Sequence, residues 1–314
     1  MRPLKLIPLY DRTIWAGERL SVLRNRPVAG EGTSWEISVH PHAQSVVANG
    51  PDAGRTLREL IDSDPEGMEG PGMGDAELLR LAFLDARDPL SVQVHPDEAY
   101  AQAHARDHGK TEGWYVLDAD PGAALVVGCD LASKDEVARA IADDSIEDHL
   151  CRVPVTEDDF VFVPAGTLHA LGAGILALEI GTNSNTTYRF YDYHRKDDEG
   201  NERELHVRRS LDVVRLDYRG NVVHTPLDGM PKERTLVSSP EFDVILIDVA
   251  DTHVLPADHA RFRTISCVRG ACDLVCGGTS THLGYTESAF LPAALGDVLV
   301  TGDCRLLVGI PHRR

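Results

Sequence analysis

DFVFVPAGTLHALGAGILALEIGTNSNTTYRFYDY (Asp159–Tyr193) holds three apolar runs, DFVFVPAG, ILALEIG and TTYRFYDY, each bounded by Gly, Pro, Asn or Asp. Such runs, rich in Val, Ile, Phe and Tyr between turn residues, read as β-strands. Upstream, VLDAD and ALVVGCD repeat the pattern. Short strands at this spacing favour a sandwich or barrel over βαβ units, so the chain is expected to be mainly β. The exception is SKDEVARAIADDSIEDHL (Ser133–Leu150), which opens with Ser133 and Glu136 in capping-box spacing and sets Val137, Ala140 and Ile141 on one helical face. A helical insertion is expected at 133–150. The stretch from Asp62 to Leu81 is rich in Gly, Pro and acids and runs into AELLRLAF, which reads as a surface loop feeding a helix.

After about Val222 the pattern changes. HTPLDGMPKERTLV carries turn residues and charge, and strands resume in SPEFDVILIDV. ESAFLPAALGD (Glu287–Asp297) echoes EDDFVFVPAGTLH (Glu157–His169): an acidic start, an apolar strand and a Pro-Ala turn. Five residues after Pro164 comes His169, whereas five after Pro292 comes Asp297, with no QxH pair before it. Two units are therefore expected: 1–222, which carries the candidate site, and 223–314, a related unit without metal ligands.

The chain has 314 residues, more than a usual single domain, and 31 basic against 50 acidic residues give a net charge of −19. That field argues against a nucleic-acid partner. No apolar run is long enough to span a bilayer, so no membrane partner is expected. MRPLKLIPLYDR places two prolines and charges where a signal peptide needs an apolar core, and a cytoplasmic protein is expected. The six cysteines are dispersed, as suits reduced thiols, and Cys267, Cys272 and Cys276 lack the CxxC spacing of a metal knuckle. Monomer and homodimer both remain open.

Chemistry concentrates in three segments. In SVQVHP (Ser91–Pro96), alternation turns Gln93 and His95 to one face of a strand. Glu112 opens the strand in GKTEGWYVL (Gly109–Leu117), and His169 follows the Pro-x-Gly turn after DFVFV. Two imidazoles, a carboxylate and an amide oxygen suit a divalent ion such as Zn²⁺. Taken singly, each histidine also fits a local hydrogen bond at a strand end or turn.

The blocks IWAGERL, GTSWEIS, LDARDPLSVQVHPDEAYA, GKTEGWYVL, VPAGTLHALG and TTYRFYD, in this order and spacing, resemble the short bacterial form of the type I mannose-6-phosphate isomerases over nearly the whole chain. The resemblance implies a zinc-dependent cupin, a β-sandwich or jelly-roll barrel, that interconverts mannose 6-phosphate and fructose 6-phosphate. It implies Gln93, His95, Glu112 and His169 as ligands of one Zn²⁺ and Arg189 as the catalytic cation. Lys110 and Glu179 would handle the proton, Ser91 and Arg195 the phosphate, and Trp15 the pocket wall.

Aldose–ketose exchange needs a base to move a proton from C2 to C1 and a cation to hold the enediolate charge. The base stays open between Lys110 and Glu179. Four positions depart from the family pattern. Ala82 stands where a lysine is usual; Gly181 and Thr182 replace two glutamines, which would leave more room near the pocket; and Asn185 replaces an acid. An isomerase or epimerase acting on a different or unphosphorylated sugar is the alternative these departures suggest. A non-catalytic sugar- or metal-binding cupin is another, although it has no need of a base and an oxyanion partner in one pocket.

Overall fold

The computed structural model describes residues 1–26, 28–197, 199–229 and 232–314. The chain forms two compact units, one of residues 1–9, 35–82 and 226–314 and the other of residues 10–34 and 83–225. The boundary expected near residue 222 corresponds only to the last of several passages between them. The first unit draws in the N-terminus because Leu4–Ile7 pairs with Ser288–Leu291 (Leu4 opposite Phe290) and with Val46–Val47. Its sheet runs Lys232–Ser238, Phe242–Leu255, Val298–Pro311, Arg263–Cys276, Ser288–Leu291, Leu4–Ile7 and Val46–Val47, with Thr279–Gly284 hairpinned onto Arg263–Cys276. Ile247, Ile265, Leu274, Val300 and Leu306 form its core.

The second unit is a sandwich. One layer contains Val222–His224, Asp159–Val163, Glu112–Ala119 and Ile175–Thr182 in that order; the other is Tyr188–Tyr191, Val92–Val94, His169–Ala170, Ala124–Cys129 and Leu150–Pro154. Trp114, Val116, Val161 and Ala177 from the first layer meet Leu125 and Val127 from the second. Val126, one residue from both, lies in the cluster on the opposite face, as the two-residue strand period requires. That outer face is covered by the expected insertion. Ser133 and Glu136 complete both halves of a capping box on the helix Lys134–Ala142, which buries Val137 and Ala140. A second helix, Val207–Val213, begins after His206.

AELLRLAF is not helical. Leu79–Ala86 is a strand with all eight residues buried. A strand buried on both faces has no regular polar alternation, and here even Arg80 and Asp85 are buried, so the sequence pattern does not distinguish it from a buried helix. The short helices Leu57–Ser63, capped by Thr56 and Glu59, and Pro65–Met68 lie earlier. His104 closes the helix Glu98–His104 and His108 lies beyond it, where its Nδ1 is 3.0 Å from Glu98 Oε1. All six cysteines are free thiols. Among the described residues, no helix is long and apolar enough to cross a membrane.

Candidate metal centre and active site

Strand register builds the site. His169 lies opposite Gln93 on one side and Val127 on the other, and Gln93 lies opposite Arg189. Directly opposed residues share a face, so Val127, His169, Gln93 and Arg189 form a row across four strands, on the side of the interlayer core. His95 continues the face of Gln93 one step beyond its strand. In the facing layer, Glu112 lies opposite Val163 and Gly181, and Trp114 lies opposite Glu179. Glu112, Trp114 and Glu179 thus share one face.

Three ligand-type groups converge between the layers. His169 Nε2 is 3.1 Å from His95 Nε2 and 3.3 Å from Glu112 Oε1, and His95 Nε2 is 3.4 Å from Glu112 Oε2. Among the described residues, this is the group of His, Cys, Asp or Glu close enough to hold a metal ion, and all three are buried. The other ring nitrogens settle the protons. His95 Nδ1 lies 3.0 Å from the carbonyl oxygen of Thr186, and His169 Nδ1 lies 2.7 Å from that of Thr167. A carbonyl only accepts, so each Nδ1 carries a proton, and a neutral ring then presents its Nε2 lone pair inward. Burial foremost, with the charge of Lys110, pushes the His95 imidazolium down to about 3, and the ring is neutral near pH 7. Both carboxylate oxygens of Glu112 are fully buried, and the one cation beside them is the Lys110 ammonium, 2.8 Å from Oε2. Burial alone would raise the Glu112 carboxyl; the ammonium of Lys110 is the foremost opposing cause, and the group is held well below the usual range. Two ring nitrogens and a carboxylate thus converge in a buried space where Lys110 alone supplies positive charge to one oxygen, an arrangement that a bound cation would stabilise further. The residues fit a divalent metal.

Beside this cluster, Lys110 Nζ is 2.8 Å from Glu112 Oε2 and 3.6 Å from Glu179 Oε1. Trp114 Nε1 donates to Glu179 Oε2 at 3.3 Å, and its ring packs edge-on against His169 with centroids 5.4 Å apart. One buried indole thus touches both a metal-ligand candidate and a proton-shuttle candidate.

Comparison with known proteins matches residues 10–122 to the catalytic domain of type I phosphomannose isomerase and residues 232–311 to the cupin domain of mannose-6-phosphate isomerase. The chain is 37% identical over 308 residues to a mannose-6-phosphate isomerase of Streptococcus mutans, covering 97% of each protein. It belongs to the type I mannose-6-phosphate isomerases. A second relative, a mannose-6-phosphate isomerase of Bacillus subtilis, is 35% identical over 98% of each chain. The crystal structure of the mannose 6-phosphate isomerase from Bacillus subtilis superposes with a TM-score of 0.86 at 33% identity, covering 98% of this chain and 99% of that one.

Other residues expected in a mannose-6-phosphate isomerase site lie around the same sandwich. Trp15 is buried in the apolar cluster that contains Trp114. Ser91 is buried directly before the Gln93 strand. Arg195 donates to the carbonyl of Pro89, two residues before Ser91, and to the Asp192 carboxylate. Arg189 begins on the row of Gln93 and directs Nη1 to the carbonyl of Glu204 at 2.8 Å.

The departures from the family pattern do not simply open the pocket. A Cβ on Gly181 would come within 2.9 Å of the Thr111 carbonyl oxygen and 3.1 Å of Glu112 Cβ, so the glycine admits the Glu112 strand at close range. Thr182 is fully buried; its hydroxyl donates to Gly109 O at 2.6 Å and accepts from Thr111 N at 3.2 Å, bracketing Lys110. This corrects the expectation of extra room there, because the smaller residues are filled by a closer backbone and a hydroxyl clamp. Near Asn185, Asp107 Oδ2 accepts from Asn185 N, Ser184 Oγ and Thr186 Oγ1, so a carboxylate reaches this turn from another segment. Ala82 is buried in its strand and brings no charge. Sequence reasoning did not single out Trp114, Asp107, Asp192 or Arg203. Only Trp114 had a signal, two strand positions after Glu112.

Proposed function

We propose that the chain interconverts mannose 6-phosphate and fructose 6-phosphate using one Zn²⁺ held by Gln93, His95, Glu112 and His169. The observation that carries this reading is the convergence of His95, His169 and Glu112 in one buried cluster, directly beside the Lys110–Glu179 pair. The bound metal would supply the positive charge that polarises a sugar oxygen and eases loss of the adjacent C–H proton. Lys110 Nζ and Glu179 Oε1 are adjacent, so one removes the proton at C2 and returns it at C1 while the other holds the charge balance as the first changes protonation state. Trp114 keeps the Glu179 carboxylate oriented. Arg189 stabilises the oxyanion of the enediolate, Arg195 and Ser91 receive the phosphate, and Trp15 backs the pocket wall.

A coupled assay tests the reading. The zinc-loaded protein is expected to turn over mannose 6-phosphate strongly in preference to free mannose and other aldose phosphates, and chelation is expected to abolish turnover. Stoichiometric metal without turnover on mannose 6-phosphate would transfer the site to another sugar.

A further inference from the structure

Asp192, at the end of the Arg189 strand, is buried and collects two arginines. Arg203 donates Nε to Oδ2 at 2.7 Å and Nη2 to Oδ1 at 2.6 Å, a two-point fork. Arg195 donates to Oδ1 as well, and through Nε to the Asp192 carbonyl at 3.3 Å. Arg189 stands close enough that burial, then the charges of Arg203 and Arg195, push its pKa down against the pull of Asp192 and Glu204. Its Nε is buried without an acceptor. Two guanidiniums thus hold one buried carboxylate, with Arg189 near enough to feel their charge, in a chain of net charge −19.

A purely structural clamp needs one arginine for one carboxylate, and each further cation adds repulsion. An anion bound from solution relieves it. Arg195 and Arg203 keep 19% and 25% of their side-chain surface exposed, so the cluster is reachable. Arg203 has five N–H donors and uses two on Asp192. Arg195 also touches Pro89, which leads to Ser91.

We infer that Arg203 is a second phosphate-anchoring residue and that Asp192 is a positioning residue fixing it beside Arg195. This rests on the sugar-phosphate reading above. The rigid Asp192 fork presents two guanidiniums to one phosphate without ordering them anew at each binding event.

The test uses Arg203→Met and Arg203→Lys in the zinc-loaded, full-length enzyme, with inorganic phosphate as the probe. Expected are a KM for mannose 6-phosphate raised about tenfold or more in Arg203→Met, a parallel rise in the inhibition constant of phosphate, kcat within about threefold, and intermediate values for Arg203→Lys. Unchanged KM and inhibition constant in folded Arg203→Met overturn the inference, as does a fall in kcat alone. If Arg203→Met fails to fold, Arg203→Lys decides by the same two constants. If the wild type does not turn over mannose 6-phosphate, the functional reading fails separately; calorimetric phosphate binding, weakened by Arg203→Lys or not, still judges the anchor.

Discussion

His95 and His169 face each other Nε2 to Nε2 at 3.1 Å, each ring held by a backbone carbonyl on its Nδ1. Both turn Nε2 toward the Glu112 carboxylate, in position to share one metal ion. His169→Ala should therefore abolish stoichiometric metal binding and turnover together, read by metal analysis of the purified protein and the coupled assay. Arg189→Ala should keep full metal content and lose turnover by about 10²–10³-fold, the range for a removed oxyanion donor. Full activity in Arg189→Ala would take that residue out of the mechanism.

His95 also sets an acid limit. His95 titrates at about 3 in the fold against 6.5 in the unfolded chain, so the folded state prefers the neutral ring. The unfolded chain then binds the extra proton first. Stability is present above pH 6.5 and is lost as pH falls toward about 3. Glu112, also held low, adds a loss that begins below its ordinary 4.5. Thermal melts of the chelated protein should show Tm falling steadily from pH 7 to pH 4, and His95→Asn should flatten the upper part of that slope. A flat profile in the wild type would contradict the buried neutral ring.

Trp114→Phe keeps the ring and removes one N–H. Glu179 then loses the donor on Oε2 in a buried site, which costs about 1–3 kcal/mol. As a group that orients a reacting side chain, its loss should lower kcat by about 10–100-fold, the range seen for outer-shell partners, with metal content unchanged. Unaltered kcat would leave Trp114 with packing alone.

Gly181→Ala tests the closeness of the Glu112 strand. With Thr111 O 2.9 Å from the new Cβ, the strand must move, and overpacking of this kind costs about 1–3 kcal/mol. A Tm loss of several degrees, accompanied by weaker metal binding because Glu112 shifts, is expected. Wild-type Tm and metal affinity would mean that the strand yields freely.

The strand-rich plan, the Ser133 capping box and the shared face of Gln93 and His95 were legible because they depend on local periodicity and caps. Leu79–Ala86 was misread because burial on both faces erases the alternation that marks a strand. The interleaving of the two units was hidden for a different reason. Nothing near Leu4 states that it pairs with Phe290. Nor does any spacing rule tie Asp192 to Arg203 across the intervening turn, or bring Asp107 to Ser184–Thr186, because these contacts come from how loops close and not from a repeat.

The pairing of Leu4 with Phe290 also has a history in time. During synthesis, Leu4 leaves the ribosome 286 residues (290 − 4) ahead of its partner. At about 5–20 residues per second, that delay is on the order of 15–60 s. Over that interval the Leu4–Ile7 strand can meet Val46–Val47 but not Ser288–Leu291, leaving one edge open as a template for unwanted strand pairing. Yield in the cell should thus depend on translation rate and chaperone supply at least as much as on the finished stability of the enzyme.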